Sequence, residues 1–208
     1  MSVVAAFDFD ATLTDRDTVV PFLRRFTTIP RFATSLVPHA FSLVAVAARR
    51  DRDGLRELAT RLVFTDRPVT DVEREAVAHA AAIAGSWLRP DTTARLNWHT
   101  EQGHRVVIVS ASYEQYVRVV AERLGDVGVA ATRLDVVDGR CTGDLLGANC
   151  RGPEKVRRLD AWLRERGLDR AGITLYAYGD SSGDRELLAA ADHPHWVNEP
   201  LASVAPTH

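Results

Sequence analysis

The 208-residue sequence predicts an α/β protein: a parallel sheet flanked by helices, with an all-helical segment inserted after the first strand. Three observations lead there. Residues 3–9, 105–109 and 173–178 are short, almost wholly apolar runs, as expected of strands buried on both faces. Helical patterns with recognisable ends separate the later runs, which is the alternation that βαβ units require. Residues 16–85, in contrast, carry helical periodicity and no convincing strand.

The elements follow in order. The first run, Val3 to Phe9, is interrupted only by Asp8. In the insert, Leu55, Leu58, Ala59, Leu62 and Val63 fit one helix face. Thr70 and Glu73 have capping-box spacing ahead of Val77, Ala80, Ile83 and Ala84. Asp91 can cap a helix that carries Leu96 and stops before Gly103. After the second strand, Ser112 and Gln115 again have capping-box spacing, for a helix that closes at Leu124 with Gly125 as its stop. Val129 to Leu146 alternates apolar and polar around Asp138-Gly139, which predicts a hairpin. Pro153 can open a helix that buries Val156, Leu159, Trp162 and Leu163 and ends at Gly167. Ile173 to Tyr178 forms the third strand, an apolar stretch from Leu187 to Ala191 follows it, and His195 to Val197 closes the sheet. The predicted division is a core of residues 1–15 and 86–208 and a helical cap of residues 16–85.

Apolar residues at 46% and charged residues at 26% supply a core and exclude a mainly disordered chain. A formal charge of −2 gives no electrostatic basis for nucleic-acid binding. The two cysteines lie outside any CxxC or Cys/His pattern, which excludes a disulfide framework and a structural zinc site. No basic leader precedes Asp8 and Asp10, and no uninterrupted apolar run reaches about 18 residues, so a cytoplasmic location is expected.

The chemistry-bearing residues fall at strand ends. Asp8 and Asp10 would share one face at the carboxyl end of the first strand, where open parallel sheets place ligands. Carboxylates this close repel one another unless a cation or a shared proton intervenes. Ser110 comes first off the second strand, ahead of Ser112. Lys155 sits in the first turn of a helix, the end at which the dipole disfavours a cation, so a neighbouring carboxylate or phosphate would offset that cost. Asp180 and Asp184 lie four apart just beyond the third strand and, with Asp8, could offer magnesium the oxygen ligands it prefers. Taken singly, each has an ordinary explanation: acids in a turn, a serine cap, a solvated lysine, a first-turn acid. Their convergence on one sheet edge suits phosphoryl transfer, with a carboxylate nucleophile, a second carboxylate for protons, a metal and a cation for the phosphate oxygens.

Asp8-Phe9-Asp10-Ala11-Thr12, Ser110, Lys155 and Gly179-Asp180-Ser181-Ser182-Gly183-Asp184, in that order, resemble the four motifs of the haloacid dehalogenase (HAD) superfamily. The insert after the first motif is similar to the C1-type cap of the subgroup that contains phosphoserine phosphatase, subgroup IB. The resemblance implies a Rossmannoid sheet and a phosphatase that uses Mg2+. Asp8 would attack phosphorus and form an aspartyl-phosphate. Asp10 would protonate the leaving alcohol, then activate water, and touch the metal through its backbone carbonyl. Ser110 and Lys155 would hold the phosphoryl group, with Thr12 also on the phosphate side, orienting the nucleophile loop. Asp180 would bind the metal, supported by Asp184. Asp10 distinguishes the phosphatases from the dehalogenase branch, which lacks that second aspartate.

Substrate choice is less legible. A glutamate like that of phosphoserine phosphatase at the start of the cap is not evident, and Ser110-Ala111-Ser112 replaces its Ser-Gly-Gly. Asp15-Arg16-Asp17-Thr18, Val109-Ser110-Ala111-Ser112 with Tyr116, and Gly147 to Lys155 are closer to the phosphatidylglycerophosphatase C type and its uncharacterised relatives. Ala111, Asn149, Arg151 and Ser181 are candidates to face substrate. Residues 32–48 are uncharged and flanked by arginines; they read either as a buried helical pair joined at Pro38 or as a segment that contacts a membrane surface or an acyl chain. The expected partner is a phosphorylated small metabolite or a lipid phosphate. A phosphotransferase or mutase of the same chemistry, and a binding protein with a silent site, are the alternatives.

Overall fold

The computed structural model describes residues 2–27 and 52–197. Its central strand is the first in the chain, β1 (Ser2–Phe7). β1 pairs in parallel with β2 (Arg105–Tyr113) on one side and β6 (Ile173–Gly179) on the other. β3 (Val127–Thr132) and β7 (His193–Trp196) complete a five-stranded sheet of order β3-β2-β1-β6-β7, parallel throughout. The α/β expectation is met: helices cover both faces of this sheet.

Period-two alternation sorts the strand residues into two cores. Ala5, Phe7, Val106 and Ile108 point to one face. There they meet Val117, Val120 and Ala121 of α5 (Glu114–Leu124) and Leu96 of α4 (Pro90–Glu101). Val4, Ala6, Val107 and Val109 point to the other, against Leu159, Trp162 and Leu163 of α6 (Pro153–Arg164) and Leu187 and Leu188 of α7 (Arg185–Ala189). Gly128 is required by that second face, because a Cβ there would meet the Trp162 indole at 2.5 Å.

The described part of residues 16–85 is helical: α1 (Val19–Leu23), α2 (Arg52–Phe64) and α3 (Val69–Ser86). These helices share the first core with the sheet. Phe22, Val63, Phe64, Val72, Ala76, Ala80 and Ile83 belong to the same buried cluster as Phe7 and Ile108. Burial of the Phe22 side chain contributes about 1.5–3 kcal/mol, and its ring lies 4.8 Å from that of Tyr116. Residues 32–48 lie outside the described residues, and no described helix is long and apolar enough to cross a membrane.

Several local expectations are corrected. The stretch 129–146 is two structures: β3 joins the main sheet, and only β4 (Leu134–Val137) and β5 (Arg140–Leu145) form the hairpin. Asp138 and Gly139 do turn it, at φ 49° and 74°. β1 ends at Phe7 rather than Phe9, because the Phe9 carbonyl accepts from the N–H groups of Leu13 and Thr14 and folds the chain back. β2 runs to Tyr113, so Ser112 is a strand residue and caps nothing. α3 begins at Val69 after Pro68 with no side-chain cap, and its buried face runs through Ala76, His79 and Ile83, leaving Val77 51% exposed. Leu55 likewise faces outward.

Candidate active site

Four loops at the carboxyl edge of the sheet build one cleft. Asp8 is the first residue beyond β1 and is tied to the neighbouring strand by its N–H, which donates to the Tyr178 carbonyl at 2.9 Å. The turn that follows places Ala11 at φ 57°, a left-handed conformation unfavourable for a residue with a Cβ, and hydrogen bonds to the Phe9 carbonyl hold it. Helix α4 braces the same turn from behind, Thr92 Oγ1 donating to the Thr12 carbonyl at 2.7 Å. The cleft is lined by Asp8, Asp10, Ala11, Asp17, Ser110, Ala111, Arg151, Lys155, Asp180, Ser181, Gly183 and Asp184. Its cavity volume is ≈ 200 Å³.

Lys155 is the only lysine of the chain; every other basic side chain is arginine. It lies in the first turn of α6, opened by Pro153, and is 2% exposed. Its Nζ donates to Asp8 Oδ1 and, at 2.5 Å, to Asp184 Oδ1. Burial works against its charge, but Asp8 and Asp184 outweigh burial and hold it as an ammonium well above the ordinary lysine range. Asp184 is fixed at its other oxygen as well: Oδ2 accepts from the Ser181 N–H at 3.0 Å and from Ser181 Oγ at 2.9 Å.

Burial pushes the Asp8 carboxyl up to about 7, against the pull of Lys155 and with repulsion from Asp184 and Asp10. Burial also raises Asp10, opposed by hydrogen bonds from Ser112 and Thr18. Asp180 is raised by burial and by Asp184. Five carboxylates, Asp8, Asp10, Asp17, Asp180 and Asp184, thus line the cleft against two cationic side chains, Lys155 and Arg151, and an additional cation would relieve the surplus of negative charge. Oxygens of Asp8, Asp180 and Asp184 all lie within 4.8 Å of one another, an all-oxygen set of the kind that suits a hard divalent cation.

The structure brings together most of the residues singled out from sequence: Asp8, Asp10, Ser110, Ala111, Arg151, Lys155, Asp180, Ser181 and Asp184. Two stand elsewhere. Thr12 is fully buried behind the cleft and does not face it; its Oγ1 donates to Asp180 Oδ1 at 3.3 Å. Asn149 is also outside. Its Oδ1 accepts from Thr132 Oγ1 at 2.9 Å and its Nδ2 donates to Asp53 Oδ1 at 2.7 Å, so its amide ties β3 to the start of α2.

Sequence reasoning passed over Asp17, which lines the cleft from the segment leading into α1. It also passed over the polar groups around Asp10. Asp10 Oδ1 accepts from the Thr18 N–H at 2.9 Å and from Thr18 Oγ1, and Oδ2 accepts from Ser112 Oγ at 2.6 Å. Thr18, Ser112 and Tyr116 do lie in the segments that carry the resemblance, but nothing in the sequence joins them to Asp10.

Comparison with known proteins agrees with this geometry. A family model described as haloacid dehalogenase-like hydrolase matches residues 5–189. Protein CicA of Caulobacter vibrioides is 39% identical over 191 residues, covering 91% of this chain and 83% of its own. A histidinol-phosphatase of Neisseria meningitidis is 34% identical over 103 residues, 48% of this chain and 46% of its own. A substrate-bound phosphoserine phosphatase superposes with a TM-score of 0.59 at 21% identity, over 92% of this chain and 83% of that one, a likeness of fold.

Proposed function

The chain belongs to the haloacid dehalogenase-like hydrolase family, and on that premise we propose that it is a magnesium-dependent phosphatase that cleaves a phosphate monoester through an aspartyl-phosphate on Asp8. The observation that carries this reading is Lys155. Its buried ammonium clasps Asp8 and Asp184 in a cleft that Asp10, Asp17, Asp180, Ser110 and Arg151 also line.

The residues divide the work. An Asp8 oxygen attacks phosphorus and the bond to the ester oxygen breaks, with Asp10 giving its proton to the departing alkoxide. Asp10, now a carboxylate, takes a proton from water, whose oxygen attacks the acyl phosphate and releases inorganic phosphate and free Asp8. Lys155 and the Ser110 hydroxyl face the phosphoryl oxygens, where a positive charge and a donor placed in advance stabilise charge as it develops. Asp8, Asp180 and Asp184, with the Asp10 backbone carbonyl, would hold Mg2+, which supplies further positive charge to the transferring group. Thr12 acts at one remove by fixing Asp180. Residues 16–85 act as the cap, and the cleft volume favours a small phosphorylated metabolite.

Replacing Asp8 with asparagine tests the assignment. The variant keeps the far-UV circular dichroism of the wild type and loses turnover of p-nitrophenyl phosphate. Near-normal magnesium-dependent turnover by Asp8→Asn overturns the nucleophile.

A further inference from the structure

Four separate elements supply groups around the Asp10 carboxylate, and none of these groups lines the cleft. Thr18 stands at the start of α1, Ser112 on β2, Tyr116 on α5 and His79 on α3. Thr18, Ser112 and Tyr116 are fully buried and His79 is 2% exposed. Each hydroxyl has one proton, which fixes the direction of the chain. With Asp10 ionised, Thr18 Oγ1 donates to Asp10 Oδ1, so the proton shared with Tyr116, 2.9 Å away, comes from the tyrosine. Ser112 Oγ gives its proton to Asp10 Oδ2 at 2.6 Å. His79 Nε2 sits 2.9 Å from the Thr18 carbonyl, which can only accept, so Nε2 carries the hydrogen.

Burying three hydroxyls costs free energy unless they are bonded, about 1–3 kcal/mol each by protein mutational measures. Here the bonds of all three run toward one carboxylate. We propose that Thr18, Ser112 and Tyr116, with His79 behind Thr18, are positioning residues that hold Asp10 where it exchanges a proton with the ester oxygen. The proposal rests on the phosphatase reading and adds to it the set of groups that place the acid. Two of the four, Thr18 and His79, come from the helical insert. The insert therefore contributes to catalysis by placing a core aspartate as well as by covering the cleft.

A misplaced general acid has a signature that general damage to the fold lacks: it matters most when the leaving group is poor. The test is a series of aryl phosphates from p-nitrophenyl, which leaves without help, to unsubstituted phenyl, which needs a proton. Tyr116→Phe removes a single oxygen. It is expected to lower kcat/KM for phenyl phosphate, which reports the steps through departure of the phenol, by about tenfold, part of the ~10²–10⁴ that a general acid supplies. The kcat/KM for p-nitrophenyl phosphate should stay within about threefold of wild type, since no acid is needed for its departure and the later step, in which Asp10 takes a proton from water, does not enter kcat/KM. Ser112→Ala should give the same split and Ser112→Thr, which keeps the hydroxyl, should remove it. Equal losses across the series, or none, overturn the positioning role while leaving the phosphatase reading intact. A wild-type chain inactive on every ester of the series overturns the phosphatase reading, and this inference with it.

Discussion

A Cβ placed on Gly179 would lie 2.5 Å from the Cβ of Asp184. The last residue of β6 and the residue that opens α7 are therefore packed as closely as a backbone and a side chain can be. That approach sets Asp184 Oδ1 against Lys155 Nζ. Gly179→Ala should push Asp184 outward, costing about 1–3 kcal/mol of stability as overpacked sites do. Turnover should fall further than the stability loss accounts for. Urea denaturation and kcat measured on the same variant separate the two effects, and unchanged turnover would refute the link between this contact and the site.

Lys155 is the counter-ion of two buried carboxylates. Lys155→Met leaves Asp8 and Asp184 without it, and removing one partner of a buried ion pair costs roughly 3–5 kcal/mol. Urea unfolding of the metal-free variant should show that loss, and turnover should fall to background. A variant as stable as the wild type would mean that the ammonium contributes nothing net.

Magnesium should stabilise the folded chain by mass action. At 100 times its dissociation constant a ligand bound only by the native state adds about 2.7 kcal/mol. Wild type should melt at higher temperature with magnesium than with EDTA, and calorimetry should show the difference vanish in Asp180→Asn. A shift that persists in Asp180→Asn would place the ion elsewhere.

Two buried histidines make stability depend on pH. Burial lowers His79 to about 4 and His99 to about 3, the latter with help from His104 and Arg95. Both lie below the unfolded value of about 6.5, so the unfolded chain binds more protons in between. Their stabilising contribution is complete above 6.5 and is lost as pH falls toward 4 and 3. Each should contribute about 2 kcal/mol of loss between pH 7.5 and 5, at ~1.4 kcal/mol per unit. Urea titrations of wild type and His79→Gln at the two pH values isolate the first contribution; parallel curves would refute it.

The sheet and the first-tier site residues were legible because both are written locally. Apolar runs mark strands buried on two faces, and acids just past a run mark the edge where ligands bind. What was not legible depends on tertiary contacts. Ser112 has the spacing of a helix cap, yet a strand that runs four residues further, to Tyr113, turns it toward Asp10. Asn149 is near Lys155 in sequence, but the loop spends its amide on Thr132 and Asp53. Val129 to Thr132 continues the alternation of the hairpin beyond it, and only pairing with β2 shows that it belongs to the main sheet. Val77 fits an apolar helix face as well as Ala76 does; the partner helix α5 decides which is covered.

The central place of β1 has a consequence for biosynthesis. Its neighbours are residues 105–108 and 173–178, so the strand that leads into Asp8 is made well before either partner and can pair on both sides only after the sixth strand is made. At ~5–20 residues per second that interval is roughly ten to thirty seconds. During it the apolar Val3–Phe7 stretch stays exposed as a naked edge. An unpaired apolar strand edge favours aggregation, so slowing translation between β2 and β6 should lower the yield of native protein.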